Sequence, residues 1–179
     1  MTVRNSQEGS QGMSADEASR ARALLPAAGR GAAAGLLGVA VMTAAERLEQ
    51  AVTRRPHSYI PARTLLTLLG RHPSDADRPT GWNWAMHYGT GAVLGALRGV
   101  WAAVGLRGPQ AHVAHTIVRL STDQTLENTT GVGAPPMVWP RNEHVVDILH
   151  KAIYSVTTGL IVERWIPPSL QSRRGLTSH

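Results

Sequence analysis

The most constraining feature of the sequence is a set of glycines at four-residue spacing inside the apolar segment HYGTGAVLGALRGVWAAVG. Gly91, Gly95 and Gly99 fall on one stripe of a helix. In water each glycine costs a helix about 1 kcal/mol relative to alanine. In lipid the bare backbone lets two helices approach closely, and packing is the main force that holds them together. The segment therefore predicts a transmembrane helix whose packing face is this glycine stripe.

The distribution of aromatic residues favours the same interpretation. Trp82 and Trp84 stand at one end of the segment and Trp101 stands near the other. Indole rings favour the interface between membrane and water. The chain has five tryptophans and no phenylalanine, whereas a soluble core of this size normally uses some phenylalanine. The composition is typical of packed Ala, Gly, Leu and Val helices.

Apolar periodicity predicts four long helices and one short one. The first opens near Pro26 and continues past Glu46, and the others cover about 82–105, 110–128 and 142–165. A short amphipathic helix over 61–70, capped by Gly70, either lies flat in the membrane interface or closes over a soluble core. The predicted fold is all-α: an integral membrane bundle of about four helices over residues 23–166. The polar stretches 1–22 and 167–179 are predicted to be disordered.

Charge and cysteine content exclude several classes of partner and site. The net charge is +6, but the arginines are scattered and no nucleic-acid-binding motif accompanies them. We therefore predict a lipid bilayer as the partner and no nucleic acid. The glycine stripe adds the prediction of a homo-oligomer formed through it. The absence of cysteine rules out a disulfide framework and a thiolate metal site.

Ionisable residues within the predicted helices are the candidates for a functional site. Helix three contains His112, His115 and Arg119 as well as acids, and it crosses a membrane only if these side chains face other helices. Asp147 and His150 share one face of helix four, where we expect a hydrogen-bonded pair. The predicted buried polar residues are His87, Asp123, Glu127, Asp147 and His150.

The spacing of Asp147 and His150 leaves a second interpretation open. A carboxylate and a histidine at i, i+3 is the pattern by which four-helix di-metal proteins present ligands inward. The corresponding metal ligands are His115, Glu127, Asp147 and His150, holding iron or another divalent metal. The alternative function is thus a helical-bundle metalloprotein or oxidoreductase. The second Glu-x-x-His of that class is missing, so the main expectation is no cofactor, and no residue is assigned a catalytic role.

Two stretches resemble a known family. HYGTGAVLGALRGV is similar to the second-helix pattern of the YagU-like small bacterial inner-membrane proteins. A later stretch resembles the same family's acidic–GxxP–WxxxE–helix–His region, through Glu127, Gly131, Pro135–Pro136, Trp139–Pro140, Glu143 and His150. The resemblance covers about residues 27–166 and implies a multi-pass protein of the bacterial inner membrane with no assigned enzymatic activity. We expect a proton-linked or stress-linked role. Helix three is more polar here than in that family.

Overall fold

A computed structural model describes residues 15–169, with side chains from Arg22 onward. Within this range the chain is all-α, without strands, as predicted. The helices are α1 (Ala15–Thr53), α2 (Ile60–Leu68), α3 (Thr80–Ala103), α4 (Gly108–Thr129) and α5 (Arg141–Trp165), and a short 3-10 turn (Pro136–Val138) precedes α5. Gly70 follows α2 with a φ of 74°, the left-handed conformation expected of a helix-capping glycine.

The first helix begins earlier than the sequence pattern predicts. Pro26 lies inside α1 and does not open it. Residues 15–22, expected to be disordered, form its first two turns because Ala, Glu and Arg are strong helix formers. The proline removes one backbone hydrogen bond, and the helix continues through it. The disorder expected for residues 1–14 and 170–179 lies outside the described residues.

The four long helices form one bundle in which α1 packs along α3 and α5, and α4 packs on α5. The shorter α2 lies against α3 and buries Ala62, Thr64 and Leu66. The core side chains are mostly small. One cluster holds Ala27, Ala34, Ala102, Ala103, Val162 and Ile166, and a second holds Val39, Met42, Leu94 and Tyr154.

The closest helix contact is a glycine seam, formed by Gly31 and Gly35 of α1 against Gly91, Gly95 and Gly99 of α3. A Cβ atom added to Gly95 would lie 2.5 Å from the Gly31 carbonyl oxygen and 2.6 Å from the Gly35 Cα. The two backbones therefore touch directly. Within the chain, the glycine stripe of α3 is therefore occupied by α1. The homo-oligomer predicted through the stripe stays a prediction.

Two helices within the described range are long and apolar enough to cross a membrane: Arg22–Thr53 of α1, and α5. The core helix of a soluble protein passes the same test of length and composition. Helix α3, on which the membrane prediction rested most heavily, is not among them. Its Trp, Tyr and His residues, together with Arg98, lower its mean hydropathy.

Candidate functional site

A cavity of about 280 Å³ lies at the end of the bundle where α1 and α4 end and α3 and α5 begin. The sequential long helices run antiparallel, so these four helix ends meet at one level. The cavity is lined by all five residues predicted to form the polar interior: His87, Asp123, Glu127, Asp147 and His150. The structure thus brings together side chains from three different helices that the sequence places up to 63 positions apart.

The lining of the cavity is strongly charged, with acids in excess. The basic residues are Arg55, Arg119 and Lys151, and the acidic residues are Glu46, Asp123, Glu127, Glu143 and Asp147. All three basic side chains already make ion pairs with acids. The cavity therefore keeps carboxylates that have no cationic partner in the described part of the chain.

Asp123 is the centre of the ion-pair network inside the cavity. Its Oδ2 atom accepts a hydrogen bond from Arg119 Nε at 3.1 Å and lies 3.6 Å from Lys151 Nζ. Lys151 also donates to Asp147, one turn earlier on α5. Asp147 is therefore paired with the only lysine of the chain, and the predicted hydrogen bond between Asp147 and His150 is not formed. A long cationic side chain at i, i+4 reaches the carboxylate more readily than the histidine ring at i, i+3.

Arg55 lies at the rim of the cavity and joins the end of α1 to the start of α5. Its Nη2 atom is 2.9 Å from Glu49, and its Nη1 atom is 3.8 Å from Glu143. Burial opposes the positive charge of Arg55, but its hydrogen bond to Glu49 and the nearby carboxylates outweigh this effect and raise the pKa of the guanidinium above its usual value. Arg55 therefore remains a cation at the entrance.

Several polar groups of the cavity have atoms that lack a hydrogen-bond partner, or a charge that lacks an ion pair, among the described residues. His150 is 8% exposed and Arg119 is 2% exposed, and the His150 Nε2 and Arg119 Nη1 atoms are buried without a hydrogen bond. Glu46 accepts one hydrogen bond, from Gln50 at 3.0 Å. Buried polar atoms are nearly always satisfied in native structures, so these groups indicate a place where water or a solute binds.

His115 does not belong to the cavity. Its Nε2 atom is 3.0 Å from the Leu94 carbonyl oxygen, and its ring packs against Trp101 and Tyr154. It precedes Glu127 by three turns of α4, or about 18 Å along the axis, so the predicted metal ligands His115, Glu127, Asp147 and His150 do not meet. Among the side chains that the structure describes, from Arg22 to Ser169, no three His, Asp or Glu residues are arranged to hold a metal ion.

A second charged cluster, which the sequence analysis missed, lies at the opposite end of the bundle. Arg98 of α3 is fully buried and donates to Glu163 of α5, which also accepts a 2.8 Å hydrogen bond from the Gly108 backbone N–H. His112 Nε2 lies 4.0 Å from the same carboxylate. A single arginine within an otherwise apolar helix was the available signal, because such a residue needs a buried partner.

No protein family model, no curated protein and no solved structure matches this chain. The resemblance to YagU-like proteins therefore stays a prediction.

Proposed function

We propose that the chain is a multi-pass integral membrane protein of the bacterial cell membrane. In this proposal all four long helices cross the bilayer, and the charged cavity opens toward the aqueous phase at one face. The cavity is the binding site for a small hydrophilic solute. Its histidines and carboxylates make that binding proton-linked, because their charge changes with pH.

The observation that carries this proposal is the inverted polarity of the bundle: charged side chains lie inside it and large apolar side chains lie on its surface. The ionic side chains of Arg98 and Arg119 are buried, whereas Val93, Ile117 and Leu160 are 68%, 57% and 59% exposed. In a water-soluble protein, arginine is almost never fully buried unless it is paired, as both of these are, and apolar side chains fill most of the interior. In a bilayer, ionisable side chains face the bundle interior and apolar side chains face the lipid. This combination of buried charges and exposed apolar side chains supports the proposed membrane bundle.

One group of exposed apolar residues forms a belt at the level of the glycine seam. Each of the four long helices contributes, with Leu36, Leu37 and Val41 from α1, Val93 from α3, Val113 and Ile117 from α4, and Val156 and Leu160 from α5. Trp82 and Trp84 at the start of α3 and Trp165 at the end of α5 are exposed beyond this belt, where interfacial tryptophans are expected.

We count α3 and α4 among the membrane-crossing helices because of their packing and length, although their composition alone is not membrane-like. These helices have 24 and 22 residues, which correspond to about 33–36 Å at 1.5 Å per residue, enough for a hydrocarbon core of about 30 Å. Since α3 packs along α1 through the glycine seam, a bilayer around α1 also surrounds α3. The ionisable side chains of α4 face the protein: His112 lies near Glu163 of α5, His115 contacts Leu94 of α3, and the remaining three, Arg119, Asp123 and Glu127, line the cavity.

Extraction of membranes with alkaline carbonate tests this proposal. We expect the full chain to stay in the membrane pellet after carbonate treatment and to be released only by detergent. Release into the carbonate supernatant, or recovery in the soluble fraction without detergent, would contradict it.

A further inference from the structure

We infer that the cavity binds a small zwitterionic solute, with an ammonium group facing Glu46 and Glu127 and an acceptor group, such as a carboxylate, facing Arg119 and His150. This inference rests on the proposed function and specifies the class of solute. At about 280 Å³ the cavity is slightly smaller than common drug-sized pockets of about 300–1,000 Å³, so the solute is a small one.

The cationic half of the solute follows from the carboxylates that remain without a cation. Glu46 and Glu127 line the cavity, and neither makes an ion pair within the described residues. The protein's own cations are not available, because Lys151 binds Asp123 and Asp147 and Arg55 binds Glu49 at the rim. A charge in a partly buried site needs a partner to offset its desolvation. An ammonium group supplies three donors and the missing charge.

The acceptor group of the solute follows from hydrogen-bond donors in the cavity that have no acceptor among the described residues. Arg119 uses Nε for Asp123, and Nη1 is left buried and unpaired. The guanidinium lies over the Tyr154 ring, 4.9 Å from its centroid, which holds it in place. His150, on α5, adds an unpaired Nε2 atom to the same cavity. A carboxylate oxygen satisfies an arginine donor with a charge-assisted hydrogen bond.

The combination of these groups argues against a bare cation as the ligand. A metal ion or a simple amine would pair with Glu46 and Glu127, but it would leave the Arg119 Nη1 atom unsatisfied and would stand close to a fixed positive charge. Conversely, a simple carboxylate would satisfy Arg119 and add a further negative charge to a lining already rich in acids. Only a molecule that carries both groups satisfies the carboxylates and the unpaired donors of the cavity together.

Three probes of matched chain length separate these possibilities: γ-aminobutyrate, n-butylammonium and n-butyrate, each titrated by calorimetry into the full chain purified in detergent. We expect γ-aminobutyrate to bind at least about tenfold more tightly than either single-charge probe, which is the effect of one additional charge-assisted hydrogen bond. Equal or tighter binding of n-butylammonium or of Mg²⁺ alone overturns the inference, and so does failure of all three probes to bind.

Two variants test which residues bind the ammonium group and which bind the carboxylate. Glu127→Gln keeps the shape of the side chain and removes its charge, so we expect it to weaken γ-aminobutyrate and n-butylammonium about tenfold and to leave n-butyrate unchanged. His150→Leu should weaken γ-aminobutyrate and n-butyrate but not n-butylammonium. Asp75→Asn is the control, because this fully exposed acid pairs with Arg63 and neither residue lines the cavity, and it should change no affinity. Equal effects of Glu127→Gln on all three probes contradict the assigned orientation.

Carbonate extraction of the same protein keeps the two proposals distinguishable. If the chain leaves the membrane, the proposed function fails. If the chain stays in the membrane but the zwitterion has no advantage over the single-charge probes, only the present inference fails.

Discussion

The glycine seam and the charged cavity are two stretches along the same pair of helices, α1 and α3, and they differ in what lies between the helices. In the seam, Gly31 and Gly35 of α1 lie against glycines of α3 with no side chain between them. Farther along α1, Glu46 reaches into the cavity, where long charged side chains separate the helices. The seam gains its stability from close packing, which tolerates little change in volume. The cavity keeps unpaired polar atoms, and this is the property of a site that is completed by something else.

The largest effect is expected in the cavity, at the shared acid. Asp123→Asn should destabilise the protein by about 3–5 kcal/mol, because Arg119 and Lys151 would lose the carboxylate that they share in a largely buried setting. Thermal unfolding in detergent measures the change. The matched control is Asp75→Asn, which removes a fully exposed acid and should leave the unfolding temperature unchanged. Similar unfolding temperatures for both variants would mean that the network is not buried in solution.

A smaller but clear loss is expected in the seam. Gly95→Leu should cost about 1–3 kcal/mol through overpacking, since even a Cβ atom there lies 2.6 Å from the Gly35 Cα. Gly89→Leu on the same helix is the control, because an added Cβ has no neighbour within 4 Å there. Comparing the two unfolding temperatures isolates the close contact from helix propensity. If Gly95→Leu were as stable as Gly89→Leu, α1 and α3 would not pack through these glycines.

The smallest expected effect is that of His150→Ala. Asp147 keeps Lys151 as its partner, so this substitution does not leave an unpaired carboxylate, and the loss is limited to packing of the ring, about 1 kcal/mol. His72→Ala, in the exposed loop before α3, should cause no loss. A loss of several kcal/mol for His150→Ala would instead support the hydrogen bond between Asp147 and His150 that the sequence predicts.

The helices and five of the residues that line the cavity could be predicted from the sequence, because they depend on local spacing and short connections. Spacings of three and four residues put Asp123 with Glu127, and Asp147 with His150, on single helix faces, and short connections make neighbouring helices antiparallel. Antiparallel neighbours then bring the end of α4 to the start of α5. The rise per residue alone separates His115 from this group, so the structure does not bring the four predicted metal ligands together.

Contacts between side chains of different helices could not be predicted from the sequence, because they depend on how each helix is rotated about its axis. Lys151 is the only lysine of the chain, yet nothing in its local sequence indicates that it binds Asp123 on another helix. The pair of Arg98 with Glu163 is a contact over 65 positions. The partner of the glycine stripe was likewise undetermined, since α1 and a second copy of α3 both offer small residues.

The most direct test of the inverted polarity is cysteine labelling, which the chain permits because it has no cysteine of its own. Ile117→Cys and Asp75→Cys place thiols at two positions that are both exposed in the structure, one in the apolar belt and one in the loop before α3. The variants are treated in opened membranes with a charged maleimide that does not enter lipid, and denatured samples serve as the reference for full labelling. We expect Asp75→Cys to be labelled and Ile117→Cys to be protected until denaturation. Equal labelling of both thiols before denaturation would contradict the account, because the apolar belt would then face water.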